Sequence, residues 1–168
     1  NPSTAELGAL ASKHARAHDV SGFEEEILRL AHATLKTPVM QRAAEALAKS
    51  RAWRESYVCA PVGDSGLIIE GYVDLVFEDD GSLVIVDYKT DRTTDATKAY
   101  ELQLGAYVAA VRNATGLAVS EAVLVFSRRA SEALKNGSSL EDAQHSVSDL
   151  DQAVELAIKL AGERASAG

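Results

Sequence analysis

Apolar positions along this chain repeat with two different periods, and the change of period divides it. Over residues 5–50, Ala, Leu, Glu and Lys dominate and nothing alternates as a strand would, which predicts helices. Ser3 or Thr4 caps a first helix, with Leu7 and Leu10 on one face. Residues 19–22 read as a turn. Ser21 with Glu24 three positions later makes a capping box for a second helix over 22–35, where Ile27, Leu30 and Ala31 fall at helical spacing. Pro38, after Thr37, suits the first position of a third helix running to residue 49, with Val39, Ala43 and Leu47 facing inward.

From residue 53 the rhythm shortens. Residues 53–61 predict a strand with Tyr57, Val58 and Cys59 as its apolar centre, and residues 63–66 a turn. Residues 68–77 form a second strand, rich in β-branched and aromatic side chains. Asp80-Gly81 then signals a hairpin, and residues 83–88 open with the continuous apolar run of a central strand covered on both faces. After a polar connector at 90–94, a helix is expected over 95–113, with Gly116 beyond its end. Tyr100, Gln103, Leu104, Tyr107, Val108 and Val111 share one of its faces. Residues 120–127 read as a strand parallel to 83–88, because a helix crosses between them. Residues 131–148 are polar and show no clear period, save a short strand at 144–147. Asp149 caps a last helix over 150–161, with Val154, Ala157, Ile158 and Ala161 on its apolar face. The sum is an α/β fold: a central mixed sheet flanked by helices, with an N-terminal helical segment (1–52) joined to a sheet-bearing core (53–168) in one domain.

Into the greasy hairpin the chain sets Asp74, Asp87 and Lys89. Asp87 and Lys89 are two apart and point to the same face of their strand. Asp74 comes within reach if the hairpin pairs across Asp80-Gly81. Burying an unpaired carboxylate costs several kcal/mol, about the scale of an unmade polar interaction or more, so such groups pair or hold a cation. Carboxylate oxygens are hard ligands suited to Mg²⁺ or Mn²⁺. An ordinary Asp–Lys ion pair at a strand end is the commoner meaning of such a pattern. Gln103 reads either as an amide at the rim of the core or as a functional group, and Glu55 as a site carboxylate or a solvated edge charge. Arg128 and Arg129 read as phosphate contacts or plain surface arginines. His14 and His18, four apart, share a helix face, and two solvated histidines are the simpler reading.

Composition narrows the classes. A chain of 168 residues that is 46% hydrophobic can bury a real core. No apolar run approaches the ~20 residues of a membrane helix, and Asn1-Pro2-Ser3-Thr4 lacks a basic signal-peptide start. The lone Cys59 excludes an internal disulfide and any multi-cysteine metal site, which fits a reducing, cytoplasmic setting. Asn1 in place of Met reads as a cut inside a longer chain.

Three motifs in order carry a resemblance: Gly71-Tyr72-Val73-Asp74, Asp87-Tyr88-Lys89, and Gln103 with Tyr107. Over roughly residues 53–127 they look like the RecB-type nuclease domain of the PD-(D/E)xK superfamily, the domain attached to UvrD-like ATP-dependent DNA helicases. That family reads G-x-x-D, then a hairpin, then an apolar strand ending D-Y-K, then a helix with Q-x-x-x-Y. The resemblance implies a restriction-endonuclease-like core and a metal-dependent DNA nuclease, with exonuclease action expected, that processes DNA ends in recombination and repair. It implies Asp74, Asp87 and the Tyr88 carbonyl as ligands of Mg²⁺ or Mn²⁺, and Asp74, Asp87, Lys89, Gln103 and Tyr107 as the working residues. The implied partners are DNA and helicase motor domains of the same or another chain, with no membrane. The family also carries a histidine ligand in a G-x-x-x-H context upstream. His14 follows Leu10-Ala11-Ser12-Lys13, with Gly8 too far back, so that histidine is expected before Asn1, and the chain without it is expected to bind metal less well. Some relatives carry a four-cysteine iron–sulfur staple, which one cysteine cannot build. A net charge of −8 is unlike the basic footprint of a stand-alone DNA binder. Either a metal restores local positive potential, or DNA is gripped elsewhere in a larger protein. The alternative function is a nuclease fold without catalysis, kept for guiding DNA or docking on a motor.

Overall fold

The computed structural model describes residues 3–62, 66–91 and 96–166. Five strands, β1 (Ala52–Val62), β2 (Leu67–Asp79), β3 (Ser82–Lys89), β4 (Val119–Phe126) and β5 (Gln144–Ser146), lie side by side in chain order. β3 and β4 pair parallel and every other neighbour antiparallel, so the sheet is mixed, as expected. Among the described residues six α-helices surround it: α1 (Thr4–Ala17), α2 (Glu24–Leu35), α3 (Pro38–Ala48), α4 (Thr97–Thr115), α5 (Ser127–Asn136) and α6 (Leu150–Ser166). No helix among the described residues is long and apolar enough to cross a membrane. Much of the expected turn at 63–66, most of the connector at 90–94 and the first expected residue of the helix at 95 fall outside the described residues.

The β2–β3 hairpin turns on Asp80 and Gly81, both with positive φ (47° and 78°), the two-residue geometry that matches strand twist. β3 is covered on both faces, which its unbroken apolar run requires. Leu83 and Ile85 pack beneath α4 with Leu104 and Val108, while Val84 and Val86 pack beneath α3 with Val39 and Ala43. α6 lies on α4 at close quarters: a Cβ on Gly105 would stand 2.3 Å from the Ala153 carbonyl oxygen, so only glycine permits this approach. α4 ends at Gly116 in the left-handed conformation, beyond the helix as expected.

Several local expectations need correction. α2 is not capped by Ser21. Its N-cap is Phe23, without a side-chain bond, and Glu24 instead accepts from the Gly22 amide at 2.7 Å. Leu47 is about half exposed rather than turned inward. In β1 only Val58 of the expected apolar centre is buried, because Tyr57 and Cys59 alternate to the open face. The polar stretch beyond Phe126 holds a helix, α5, which the sequence pattern hides. Its inward face is made of Ser127, Ala130, Ser131 and Ala133 rather than large apolar residues.

Candidate functional site

The hairpin ladder runs from Asp79↔Ser82 to Leu75↔Val86 and stops there. The next positions of the two strands are Asp74 and Asp87, near enough for the Asp74 charge to act on Asp87. The Asp74 carboxylate takes over the ladder's work: its Oδ2 accepts a hydrogen bond from the Tyr88 amide at 2.9 Å. The same place is irregular on the other side of β2. β1 and β2 keep one register from Ala52↔Phe77 to Val62↔Leu67, and Glu55 opposite Asp74 is the one pair missing from it. Glu55 has φ 47°, rare for a residue with a side chain. Val73 and Val76 both belong to the core beneath α4, whereas Leu75 and Phe77 belong to the one beneath α3. The two-residue alternation of β2 therefore slips at Asp74. Glu55 itself is exposed.

Strand alternation sends Asp87 and Lys89 toward α4 and Tyr88 toward α3, where its hydroxyl donates to Met40 Sδ at 3.4 Å. Asp87 is 4% exposed. Its Oδ2 lies 2.5 Å from Lys89 Nζ, a close ion pair between two largely buried groups. Burial pushes the Asp87 carboxyl above the usual carboxylate value. The Lys89 ammonium opposes that shift and the neighbouring Asp74 charge adds to it. Burial also pushes the Tyr88 phenol up, with Asp74 contributing.

α4 supplies the third side. Lys89 Nζ donates to Gln103 Oε1 at 3.1 Å, and Gln103 Nε2 donates to the Tyr107 hydroxyl at 3.1 Å. Residues 103 and 107 are one helical turn apart, so one face of α4 carries both. The Tyr107 ring in turn lies against Gly71. A Cβ there would sit 3.0 Å from Tyr107 Cε1, which is a physical reason for glycine three residues before Asp74. Asp74, Asp87, Tyr88, Lys89, Gln103 and Tyr107 thus meet at one end of the sheet through a continuous set of contacts.

Tyr100 joins this group although the sequence pattern assigns it to the core. Lys89 Nζ stands 4.2 Å from the centroid of the Tyr100 ring, and the Tyr100 hydroxyl donates to Asp91 Oδ2 at 2.9 Å. The spacing 100, 103, 107 is visible in the sequence, but an aromatic at helical spacing reads first as core. Arg128 does not stand free for a phosphate: its Nε donates to the Thr90 carbonyl at 2.9 Å and its Nη1 to Glu26 at 2.5 Å, while Arg129 is exposed. His14 and His18 stack on each other, 6.3 Å between centroids. Among the described residues no three His, Cys, Asp or Glu side chains gather as they would around a metal ion. The donors present, two neighbouring carboxylates of which Asp87 is buried, are of the hard type that divalent Mg²⁺ or Mn²⁺ prefers.

Comparison with known proteins bears on this arrangement. The sequence profile of the PD-(D/E)XK nuclease superfamily matches residues 2–168. The chain is 38% identical over 72 residues to an ATP-dependent helicase/nuclease subunit of Bacillus pumilus (strain SAFR-032), a match covering 36% of this chain and 6% of that protein. It is 39% identical over 64 residues to the protein of the same name in Clostridium botulinum (strain 657 / Type Ba4), covering 36% of this chain and 5% of that one. The chain therefore spans only a small fraction of these relatives. Among solved structures, it is similar to the crystal structure of SSO0001 at a TM-score of 0.40 and 19% identity, over 82% of this chain and 68% of that one.

Proposed function

As this chain belongs to the PD-(D/E)XK nuclease superfamily, we propose that it hydrolyses DNA phosphodiesters with the help of Mg²⁺ or Mn²⁺. We further propose that it acts as an exonuclease on DNA ends delivered by a helicase motor in recombination and repair. The observation that carries the reading is the open end of the hairpin, where Asp74, held by the Tyr88 amide, lies close enough to buried Asp87 for its charge to act on it, with Lys89 beside them. Asp74, Asp87 and the Tyr88 carbonyl would hold the cation. A divalent cation there supplies a more acidic water and neutralises charge on the phosphate.

The chain's own residues do the rest. β3, covered on both faces, presents Asp87 and Lys89 rigidly on one side. Lys89 holds a positive charge beside the carboxylates in a largely water-excluded place, where fixed charge acts most strongly on the negative charge that grows as the phosphorus is attacked. Gln103 anchors that ammonium, and Tyr107 anchors Gln103. The partnership with a helicase motor is supported by the names of the relatives matched.

The test is degradation of end-labelled linear DNA and of closed circular DNA by this chain with Mg²⁺ or Mn²⁺. Metal-dependent loss of the linear substrate is expected. Equal persistence of both substrates in wild type and in Lys89→Ala, at saturating metal, would contradict it.

A further inference from the structure

The Lys89 ammonium is held on three sides. Asp87 Oδ2 lies at 2.5 Å, Gln103 Oε1 at 3.1 Å, and the third side is the face of the Tyr100 ring, 4.2 Å from Nζ to centroid. That ring is itself fixed twice. Its body packs against the core cluster beneath α4, and its hydroxyl donates to Asp91 at 2.9 Å, two residues past Lys89. A lysine side chain has four rotatable bonds and strong hydration, so one contact leaves its charge poorly placed. Asp87 is also an anchor with a second duty. A carboxylate that takes a divalent cation has less attraction left for an ammonium, and the two cations repel. Gln103 and Tyr100 are the anchors that do not compete.

We propose that Tyr100 is a positioning residue: its ring is the seat that keeps the Lys89 ammonium in place while Asp87 engages the metal. The inference rests on the nuclease reading above and adds to it a residue that acts through Lys89 without touching substrate. The hydroxyl serves only to orient the ring through Asp91, so the ring and not the oxygen is the working part.

The test uses Tyr100→Leu, which removes the ring, and Tyr100→Phe, which keeps it. Steady-state kinetics on linear DNA should show kcat of Tyr100→Leu down about tenfold to thirtyfold, the size of a desolvated cation–ring attraction, with KM for DNA within about twofold. Tyr100→Phe should stay within about threefold of wild type on the same scale. The second readout needs neither metal nor activity. In proton NMR of the metal-free protein, the Lys89 ε-methylene signals should lie upfield, shielded by the ring, in wild type and Tyr100→Phe, and return to ordinary positions in Tyr100→Leu. Wild-type kcat in Tyr100→Leu, or a Tyr100→Phe that falls as far as Tyr100→Leu, would overturn the proposal. Unshifted Lys89 signals in an active wild-type chain would sink the seat alone, whereas an inactive chain with the upfield shift intact would sink the nuclease reading and leave the seat standing.

Discussion

Both ends of the β2–β3 hairpin carry carboxylates, and they are treated in opposite ways. At the turn, Asp79 sits 2.8 Å from Arg42, and Glu78 sits 3.1 Å from Arg51, all at least partly open to water. Arg42 extends the same network to Glu121 at 2.7 Å, so it ties α3 to β2 and β4. Each of these acids has an arginine partner and solvent besides. At the open end, Asp87 is buried, feels the charge of Asp74, and pairs at 2.5 Å with Lys89, itself largely buried. The first arrangement is what acids do for a fold. The second places two acids close together with one ammonium, from Lys89, to balance their charge. The difference lies in solvation and pairing, not in residue type, and it marks the acids of the open end as the candidates for function.

The contrast can be broken most sharply at Lys89. Lys89→Ala removes the fixed charge from the open end, and DNA hydrolysis should fall about 10²–10³-fold, as when one preorganised electrostatic group is deleted from an active site. Rates of linear-DNA degradation, measured beside far-UV circular dichroism to verify folding, check this. Asp87→Asn comes next. Calorimetric titration with Mn²⁺ should show affinity lower by more than about 100-fold, beyond the range seen when a ligand's outer partners are removed.

The same variant sharpens the comparison through pH. The raised pKa of Asp87 means that folding favours its protonated form. That contribution is complete below the ordinary carboxylate value and is lost as pH rises through the folded value. The stability of metal-free Asp87→Asn relative to wild type should therefore grow with pH across that interval, as followed by urea unfolding. The smallest effect is expected at the other end. Arg42→Ala should cost about 1 kcal/mol or less in stability, the range of exposed ion pairs. It should leave Mn²⁺ affinity unchanged in the same titration.

What is legible in the sequence and what is hidden follow from the reach of the interactions involved. The hairpin is legible because Asp80-Gly81 and the β-branched runs around it are local signals. The common face of Asp87 and Lys89 is legible from a period of two, and that of Gln103 and Tyr107 from a spacing of four. α5 is hidden because alanines and serines, not leucines, line its buried face. The slip of alternation at Asp74 and the left-handed backbone of Glu55 opposite it are hidden as well, since both lie within runs that read as continuous strands. Tyr100 reads as core, and it does pack against the core. Its additional contact with Lys89 depends on how α4 lies over β3, a tertiary fact with no local trace.

The most direct measurement is a crystal of this protein soaked with Mn²⁺ and recorded at the manganese absorption edge. An anomalous peak is predicted within coordination distance of oxygens from both Asp74 and Asp87. A peak bound elsewhere, or none beside those two residues at saturating Mn²⁺, would contradict a shared cation site at the open end of the hairpin.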